Sequence, residues 1–270
     1  MKEFILYLRE RYNPSSYVPV ISLVTVTLFH LNHYLFAFHS IPTIVLVIAS
    51  ILLMFRLLDD LGELAEEKKL YPHRVLSRSS KPKIYWLIFF LLFIVNVVLL
   101  FWLQKGSTIV YTFIGYTFFL KLYYHKIKKI IPSTYLKTLI PITRYPLTVY
   151  VLLSDYTRQF ATSEVLFFLA FLFIALRLYD WSHDQELNRK KIVVAWLQTL
   201  YGVLLIWGLF SVESLLGMEF YILRIMSIVG FIIYAIDFHW KKFLPAFSIV
   251  HLTLILNLAL LLIKQRQMLL

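Results

Sequence analysis

The sequence contains no cysteine, and this absence excludes several kinds of site at once. Without a thiol there is no disulfide, no nucleophilic cysteine and no cysteine-ligated metal. Glycine is also scarce, with 7 in 270 residues, so close packing of helices through glycine is not expected to be the main interaction. Charged residues make up only 16% of the chain, whereas 60% are hydrophobic. A water-soluble domain is about half apolar and about a quarter charged, so this composition predicts an integral membrane protein.

Apolar runs of membrane-spanning length recur along the whole chain. They are about 17–24 residues long, which suits a hydrocarbon core about 30 Å thick at a helical rise of 1.5 Å per residue. We predict an all-α fold, a polytopic membrane bundle of about nine transmembrane helices forming a single domain over residues 1–270. Pro141 and Pro146 are expected to kink the fifth span. The spans are predicted at about 17–38, 41–64, 84–103, 108–124, 134–154, 163–182, 192–210, 219–237 and 243–263.

The basic residues between the spans are distributed unevenly. Most Lys and Arg fall in the connecting segments on one side of the predicted membrane. The positive-inside tendency therefore places the N-terminus and these segments in the cytoplasm, and an odd number of spans places the C-terminus outside. The same distribution explains the net charge of +12 without a nucleic-acid partner.

Two polar segments interrupt the apolar pattern, each at the cytoplasmic end of a predicted span. The first acidic segment covers residues 56–69 and the second covers residues 177–186. Both begin with Arg, place Asp three residues later and have another acid four residues after that Asp. Since residues three and four apart share one helical face, each segment is predicted to form a stripe of carboxylates. The first stripe is Asp59, Glu63 and Glu67 with Asp60 beside it, and the second is Asp180 and Asp184.

Carboxylates stacked in this way repel one another, so a cation is expected to compensate them. Mg²⁺ takes oxygen ligands and is commonly held by a few carboxylates together with phosphate oxygens. Basic groups nearby would bind the phosphate oxygens that the metal leaves free. The alternative is that these acids are solvated ends of membrane helices, but two matching stripes on one membrane face favour a site. The nearby basic residues are Lys68, Lys69, Arg74, Lys126 and Lys128.

The two acidic segments resemble those of the UbiA-type intramembrane prenyltransferases. That family has nine transmembrane helices, with one acidic motif after helix two and another after helix six. The stretch Tyr71-Pro72-His73-Arg74 also resembles the basic segment that commonly follows the first motif. The family's Asn-Asp-x-x-Asp-x-x-x-Asp is matched by Asp59, Asp60, Glu63 and Glu67, and its Asp-x-x-x-Asp by Asp180 and Asp184.

The sequence departs from the family pattern in both motifs. Asp59 stands in place of the leading Asn, and two aspartates of the first motif are glutamates here. Asn188 stands where a glycine often follows the second motif. These departures bear on the acceptor and on the fine geometry of the site more than on diphosphate binding.

The resemblance implies a Mg²⁺-dependent enzyme that transfers a prenyl group from an isoprenoid diphosphate to an aromatic, quinone-precursor or other lipophilic acceptor within the membrane. Mg²⁺ would bridge the two acidic stripes and the diphosphate, with Asp60 and Asp180 as the acids essential for catalysis. The isoprenoid tail would lie along an apolar groove that faces the membrane lipid. The residues expected to bind diphosphate are Lys68, Arg74, Lys126 and Tyr124.

Several assignments keep an alternative. Lys126 also fits an anchor at the cytoplasmic end of a span. Arg144 and Tyr145 fall within the broken fifth span, where an unpaired arginine costs at least about 2.5–3.5 kcal/mol. They are interpreted either as contacts to the acceptor or diphosphate, or as part of a structural ion pair. For the whole chain, the alternatives are a membrane terpene cyclase with the same acidic motifs and a cation-coupled transporter.

Overall fold

A computed structural model describes the larger part of the first 177 residues. The second acidic segment from Leu178 onward, including Asp180 and Asp184, lies outside the described residues, as do the spans predicted at 192–210, 219–237 and 243–263. All regular structure in the described part is helical, in agreement with the predicted all-α class. The described residues are 2–12, 17, 20–21, 24–25, 28, 41–103, 106–132, 134–153, 165–166, 169–170, 172–174 and 176–177.

The helices follow one another with short connections. A π-helical turn at Tyr123–Ile127 continues directly from α6 into α7. The α-helices are α1 Lys2–Arg11, α2 Ile41–Gly62, α3 Leu64–Leu70, α4 Val75–Arg78, α5 Pro82–Trp102, α6 Ser107–Leu122, α7 Lys128–Ile130, α8 Thr134–Ile142 and α9 Arg144–Leu152.

Four of the predicted spans can be compared with these helices. The spans at 41–64, 84–103 and 108–124 correspond closely to α2, α5 and α6. Helix α5 begins with Pro82, where the missing amide hydrogen removes no helical hydrogen bond. The span at 134–154 is divided at Thr143 into α8 and α9, so the predicted break between Pro141 and Pro146 is confirmed.

Helix α2 lies at the centre of the described part and packs mainly against α5, α6 and α9. Ile48, Ile51 and Phe55 of α2 are completely buried. The Phe55 ring lies 5.9 Å from the ring of Phe113 and 5.6 Å from that of Tyr116, both on α6. This apolar packing fixes the position of the polar end of α2, where the first acidic segment begins.

Helix α5 presents a continuous apolar face to its surroundings. It is long and apolar enough to cross a membrane, with a mean hydropathy of 2.8 over its most apolar stretch. Side chains three and four residues apart point outward and are more than half exposed: Leu87, Leu91, Ile94, Val98 and Phe101. The predicted count of nine spans stays a prediction, because most of the later chain lies outside the described residues.

Candidate functional site

The first acidic segment bends where α2 ends and α3 begins. Helix α2 ends at Gly62 and α3 begins at Leu64, and the intervening Glu63 has φ −101° and ψ 6°. The Glu63 and Glu67 amides still donate to the Asp59 and Glu63 carbonyl oxygens across this bend. The three acids of the predicted stripe nevertheless contact different basic side chains, so they share no single cation. Glu67 shares Arg11 with Asp60, which lies seven residues earlier on the same side of the chain.

Asp60 is the centre of a buried ion-pair group, which we call the Asp60 cluster. Its side chain is 2% exposed and lies against α1. Arg11 donates to both carboxylate oxygens, with its Nε 2.9 Å from Oδ2 and its Nη2 in contact with Oδ1. The Tyr7 hydroxyl donates to Oδ2 at 2.9 Å, and Arg56 Nη2 lies 3.1 Å from Oδ1. The members of the cluster are Tyr7, Arg11, Arg56, Asp60, Glu67 and Arg74.

Glu67 joins this cluster through two arginines. Arg11 Nη2 lies 2.9 Å from Glu67 Oε1, and Arg74 Nη1 contacts the same oxygen. The Arg74 guanidinium also lies 3.8 Å from the centre of the Tyr71 ring. Burial raises the pKa of the Glu67 carboxyl above its ordinary value, and the negative charge of Asp60 adds to the rise, while Arg11 and Arg74 oppose it. Three guanidinium groups face two carboxylates, so the cluster carries a net positive charge.

Asp59, next to Asp60 in α2, has different partners. Arg144 Nη1 donates to Asp59 Oδ2, and the Tyr124 hydroxyl donates to Oδ1. Arg144 Nη2 also donates to the Tyr145 hydroxyl at 3.1 Å. Asp59 and Arg144 are 8% and 7% exposed, so this is a buried ion pair between α2 and α9. Of the two interpretations of Arg144, the structure shows the ion pair.

The Tyr124 side chain packs closely against the backbone of Gly62, which places it beside Asp59. A Cβ atom at Gly62 would lie 2.6 Å from both Cβ and Cγ of Tyr124, which is far inside a normal contact. Only glycine leaves room for Tyr124 at this point. Tyr124 belongs to the π-helical turn, a rare geometry that is frequent at functional sites.

A cleft of about 410 Å³ lies next to this contact, between the α2–α3 bend and the π-helical turn. Lys128 Nζ bridges two acids at its edge, 2.7 Å from Glu63 and 3.4 Å from Glu66. Lys68 and Lys129 also line the cleft, so three ammonium groups face two carboxylates there. The side chains that line the cleft include Glu63, Glu66, Lys68, Tyr124, His125, Lys128 and Lys129.

The structure divides the residues predicted to bind diphosphate among three places. Lys68 and Tyr124 line the cleft, whereas Arg74 belongs to the Asp60 cluster. Lys126 is exposed and does not line the cleft, which agrees better with its interpretation as an anchor. The basic residue that contacts the acidic segment is instead Lys128, the first residue of α7.

Sequence reasoning assigned no role to α1, although this helix supplies two members of the Asp60 cluster. Tyr7 and Arg11 are four residues apart, so they lie on one face of α1 and reach Asp60 together. The sequence signal for a role of α1 was the four-residue spacing of Tyr7 and Arg11 in a short helix whose other charged residues, such as Arg9 and Glu10, are exposed. Nothing in it indicates which distant acid these side chains meet.

The acids of the first segment do not fit a metal site by themselves. Within residues 41–103 and the other described parts, no three acidic or histidine side chains converge closely enough to hold an ion. The four predicted ligands Asp59, Asp60, Glu63 and Glu67 each contact a basic side chain. The predicted pairing of this segment with Asp180 and Asp184 stays a prediction.

Comparison with known proteins gave one structural similarity. No family model matches the chain, and no significantly similar curated protein was found. The chain is similar to a solved structure described as "Structural and mechanistic insights into the biosynthesis of Digeranylgeranylglyceryl phosphate synthase in membranes". The two chains share 13% identity with a TM-score of 0.47 over 98% of each. A TM-score below 0.5 at this identity does not establish a shared fold, so the site itself carries the functional argument.

Proposed function

We propose that this chain is a membrane prenyltransferase that moves a prenyl group from an isoprenoid diphosphate to a lipophilic or aromatic acceptor. The observation that supports this proposal is that basic side chains surround the first acidic segment. Basic side chains from α1, α2, α9, the π-turn region and the segment after α3 all converge on it. An array of guanidinium and ammonium groups at one end of an apolar helix suits a ligand with a charged diphosphate head and an apolar tail.

The apolar face of α5 supports the membrane part of the proposal. Leu91, Ile94 and Val98 are 54%, 56% and 59% exposed along one side of the helix. A contiguous apolar surface of this kind is unfavourable in water and suits contact with lipid. We propose a multi-pass protein with the N-terminus and the acidic segments in the cytoplasm and the C-terminus outside, as the positive-inside tendency predicts.

The basic residues would act on the donor during bond cleavage. Lys68, Lys128 and Lys129 line the cleft and would bind diphosphate oxygens there, beside Tyr124. The bond between C1 of the prenyl group and the ester oxygen that joins it to the diphosphate breaks, and its electron pair leaves with the diphosphate. The acceptor then forms a bond to C1 and loses a proton. Positive groups fixed before the reaction stabilise the charge that develops on the leaving oxygen.

A requirement for Mg²⁺ is part of the proposal. When bound, the ion would further neutralise the leaving diphosphate. Its support is the resemblance of the two motifs, and Asp180 and Asp184 are the proposed ligands. The first segment contributes acids that are paired with basic groups in the structure, so no step is assigned to a metal there.

The acceptor site is proposed beside Asp59. Arg144 and Tyr145 remain the proposed acceptor contacts, with Asp59 fixing the guanidinium and Arg144 donating to the Tyr145 hydroxyl. A phenolic or acidic acceptor would find hydrogen-bond partners in this group. No observation favours the cyclase over the transferase, and product analysis separates them.

The deciding experiment is a product assay with purified full-length protein in detergent or proteoliposomes. Isoprenoid diphosphates of several lengths are incubated with a panel of acceptors, and products are identified by mass. Prenylated acceptor supports the proposal, whereas diphosphate release with a cyclised hydrocarbon indicates a cyclase. Neither product with any donor would contradict the enzyme assignment.

A pair of lysine variants tests the role of the cleft. Lys128→Gln removes the ammonium that contacts Glu63 and is expected to raise KM for the donor at least about tenfold, equivalent to one lost charge-assisted contact. Lys83→Gln removes the same charge from an exposed position at the start of α5 and serves as the matched control. Equal KM values in the two variants would exclude the cleft as the donor site.

A further inference from the structure

Helix α1 contributes directly to the first acidic segment. Tyr7 is completely buried, with its ring 5.8 Å from that of Phe4 and 5.4 Å from that of Tyr85 on α5. One turn further along α1, Arg11 lies between the carboxylates of Asp60 and Glu67 and contacts both. A single guanidinium between two acids occupies the position that a shared cation would take.

We propose that Arg11 takes the place of a metal ion at Asp60 and Glu67, and that these two acids position arginines for the substrate instead of coordinating Mg²⁺. The inference rests on the proposed function, and it makes Asp60 and Glu67 positioning residues of that site. The divalent cation then belongs to the rest of the site, away from the Asp60 cluster.

The carboxylate oxygens of Asp60 are already occupied by donors from the protein. An ionised carboxylate offers about four acceptor positions. Asp60 receives Nε and Nη2 of Arg11 and the Tyr7 hydroxyl, and Arg56 Nη2 lies within ion-pair distance. Mg²⁺ binds oxygen at about 2.0–2.1 Å and demands near-octahedral geometry. A metal ligand at Asp60 would therefore have to displace at least one of these donors.

The Asp60 cluster has a net positive charge. Arg11, Arg56 and Arg74 face two carboxylates, which leaves one positive charge in excess. A divalent cation added to a positive cluster is repelled, whereas an anion is attracted. Arg56 Nε is buried and has no hydrogen-bond partner in the described part of the chain. This donor and the excess charge suit a phosphate oxygen.

The contacts of α1 keep the Arg11 backbone beside the two acids. Besides the buried Tyr7, the Glu10 carboxylate accepts a hydrogen bond from the Val75 backbone amide at 2.8 Å. The Tyr12 hydroxyl donates to the Ala49 carbonyl oxygen at 2.8 Å. These contacts, on both sides of Arg11, fix its backbone within reach of Asp60 and Glu67.

Counting bound metal ions tests the proposal without using activity. Purified full-length protein in detergent is titrated with Mn²⁺ alone, and bound Mn²⁺ is measured by electron paramagnetic resonance. We expect Asp60→Asn to bind the same number of Mn²⁺ ions as the unmodified protein. We expect the double variant Arg11→Gln/Arg56→Gln to bind one additional ion, since Asp60 then keeps no guanidinium partner among the described residues. Arg11→Lys keeps the cation and is expected to match the unmodified protein.

Arg9→Gln is the matched control, because Arg9 lies on the exposed side of the same helix. It is expected to leave the Mn²⁺ count unchanged. Loss of a bound Mn²⁺ ion in Asp60→Asn would overturn the proposal, as would an unchanged count in a folded Arg11→Gln/Arg56→Gln double variant. Should the double variant fail to fold, the Asp60→Asn and Arg11→Lys counts decide. An inactive chain with the expected counts would refute the prenyltransferase assignment and leave this inference intact.

Discussion

The buried ion pair between Asp59 and Arg144 gives the sharpest test of how the site is held together. Replacing Arg144 with Met removes the guanidinium and keeps much of the side-chain volume. Asp59 is 8% exposed, so its carboxylate would remain buried and, among the described residues, would keep the Tyr124 hydroxyl as its partner. Removing one member of a buried pair costs about 3–5 kcal/mol, of which the remaining hydrogen bond recovers about 1 kcal/mol. We expect Arg144→Met to lower the free energy of unfolding by about 2–4 kcal/mol.

The reverse substitution and the double variant complete the cycle. Asp59→Asn leaves the Arg144 guanidinium buried without its anion and is expected to cost a similar amount. In the double variant neither charge is left unpaired, so its loss should be smaller than the sum of the two single losses by at least about 1.5 kcal/mol. The assay is reversible unfolding in mixed micelles, followed by circular dichroism.

Additivity of the two losses would refute the reasoning. If the stability loss of the double variant lay within about 0.5 kcal/mol of the sum of the two single losses, Asp59 and Arg144 would not interact in the folded protein. Thr148→Val on the next turn of α9 controls for the helix itself, since Thr148 is buried and its hydroxyl donates only to the Arg144 carbonyl oxygen.

Three further predictions concern packing, titration and the membrane. Gly62→Ala should cost about 1–3 kcal/mol of stability because its Cβ would overlap Tyr124, and an unchanged unfolding curve would contradict the close approach. The raised pKa of Glu67 means that the folded protein binds its proton more tightly than the unfolded chain does, so stability should fall as pH rises from the ordinary carboxyl pKa to the raised value. Glu67→Gln should flatten this decline in pH-dependent unfolding, whereas Glu66→Gln, at an exposed position, should not. Leu91→Lys at the middle of α5 should oppose membrane insertion by about 2.5–3.5 kcal/mol and increase the fraction extracted by alkaline carbonate, whereas a lysine facing water would change almost nothing.

Local sequence signals predicted the helices well where apolar runs had clear ends. Helix α5 begins at Pro82, and the boundary between α8 and α9 follows the pair Pro141 and Pro146, because proline fixes its own backbone and lacks a donor. The resemblance of the first acidic segment to a known motif identified a segment on which buried ion pairs converge, and its function stays a prediction. These features depend on residues that are close in sequence.

The partners of the acids were not predictable in the same way. Arg11 meets Asp60 across 49 residues and Arg144 meets Asp59 across 85, and no local pattern specifies such pairs. Glu67 joins the Asp60 cluster because it lies seven residues after Asp60, about two helical turns, so both carboxylates reach Arg11. The stacked carboxylates in the sequence predicted a compensating cation, and in the structure arginines of the same chain provide the positive charge.

The π-helical turn affects how the wall of the cleft responds to a change in chain length. A π turn accommodates one residue more than an α turn, so Tyr123–Ile127 carries the extra length of a single amino acid. Deleting the exposed His125 would let the backbone relax into a regular α-helix with little rotation of the residues beyond it, because the wide turn absorbs the surplus residue. Lys128 would still face Glu63 and Tyr124 would stay beside Asp59, so the loss of one amino acid here would leave the ammonium group and the hydroxyl directed at the same bend.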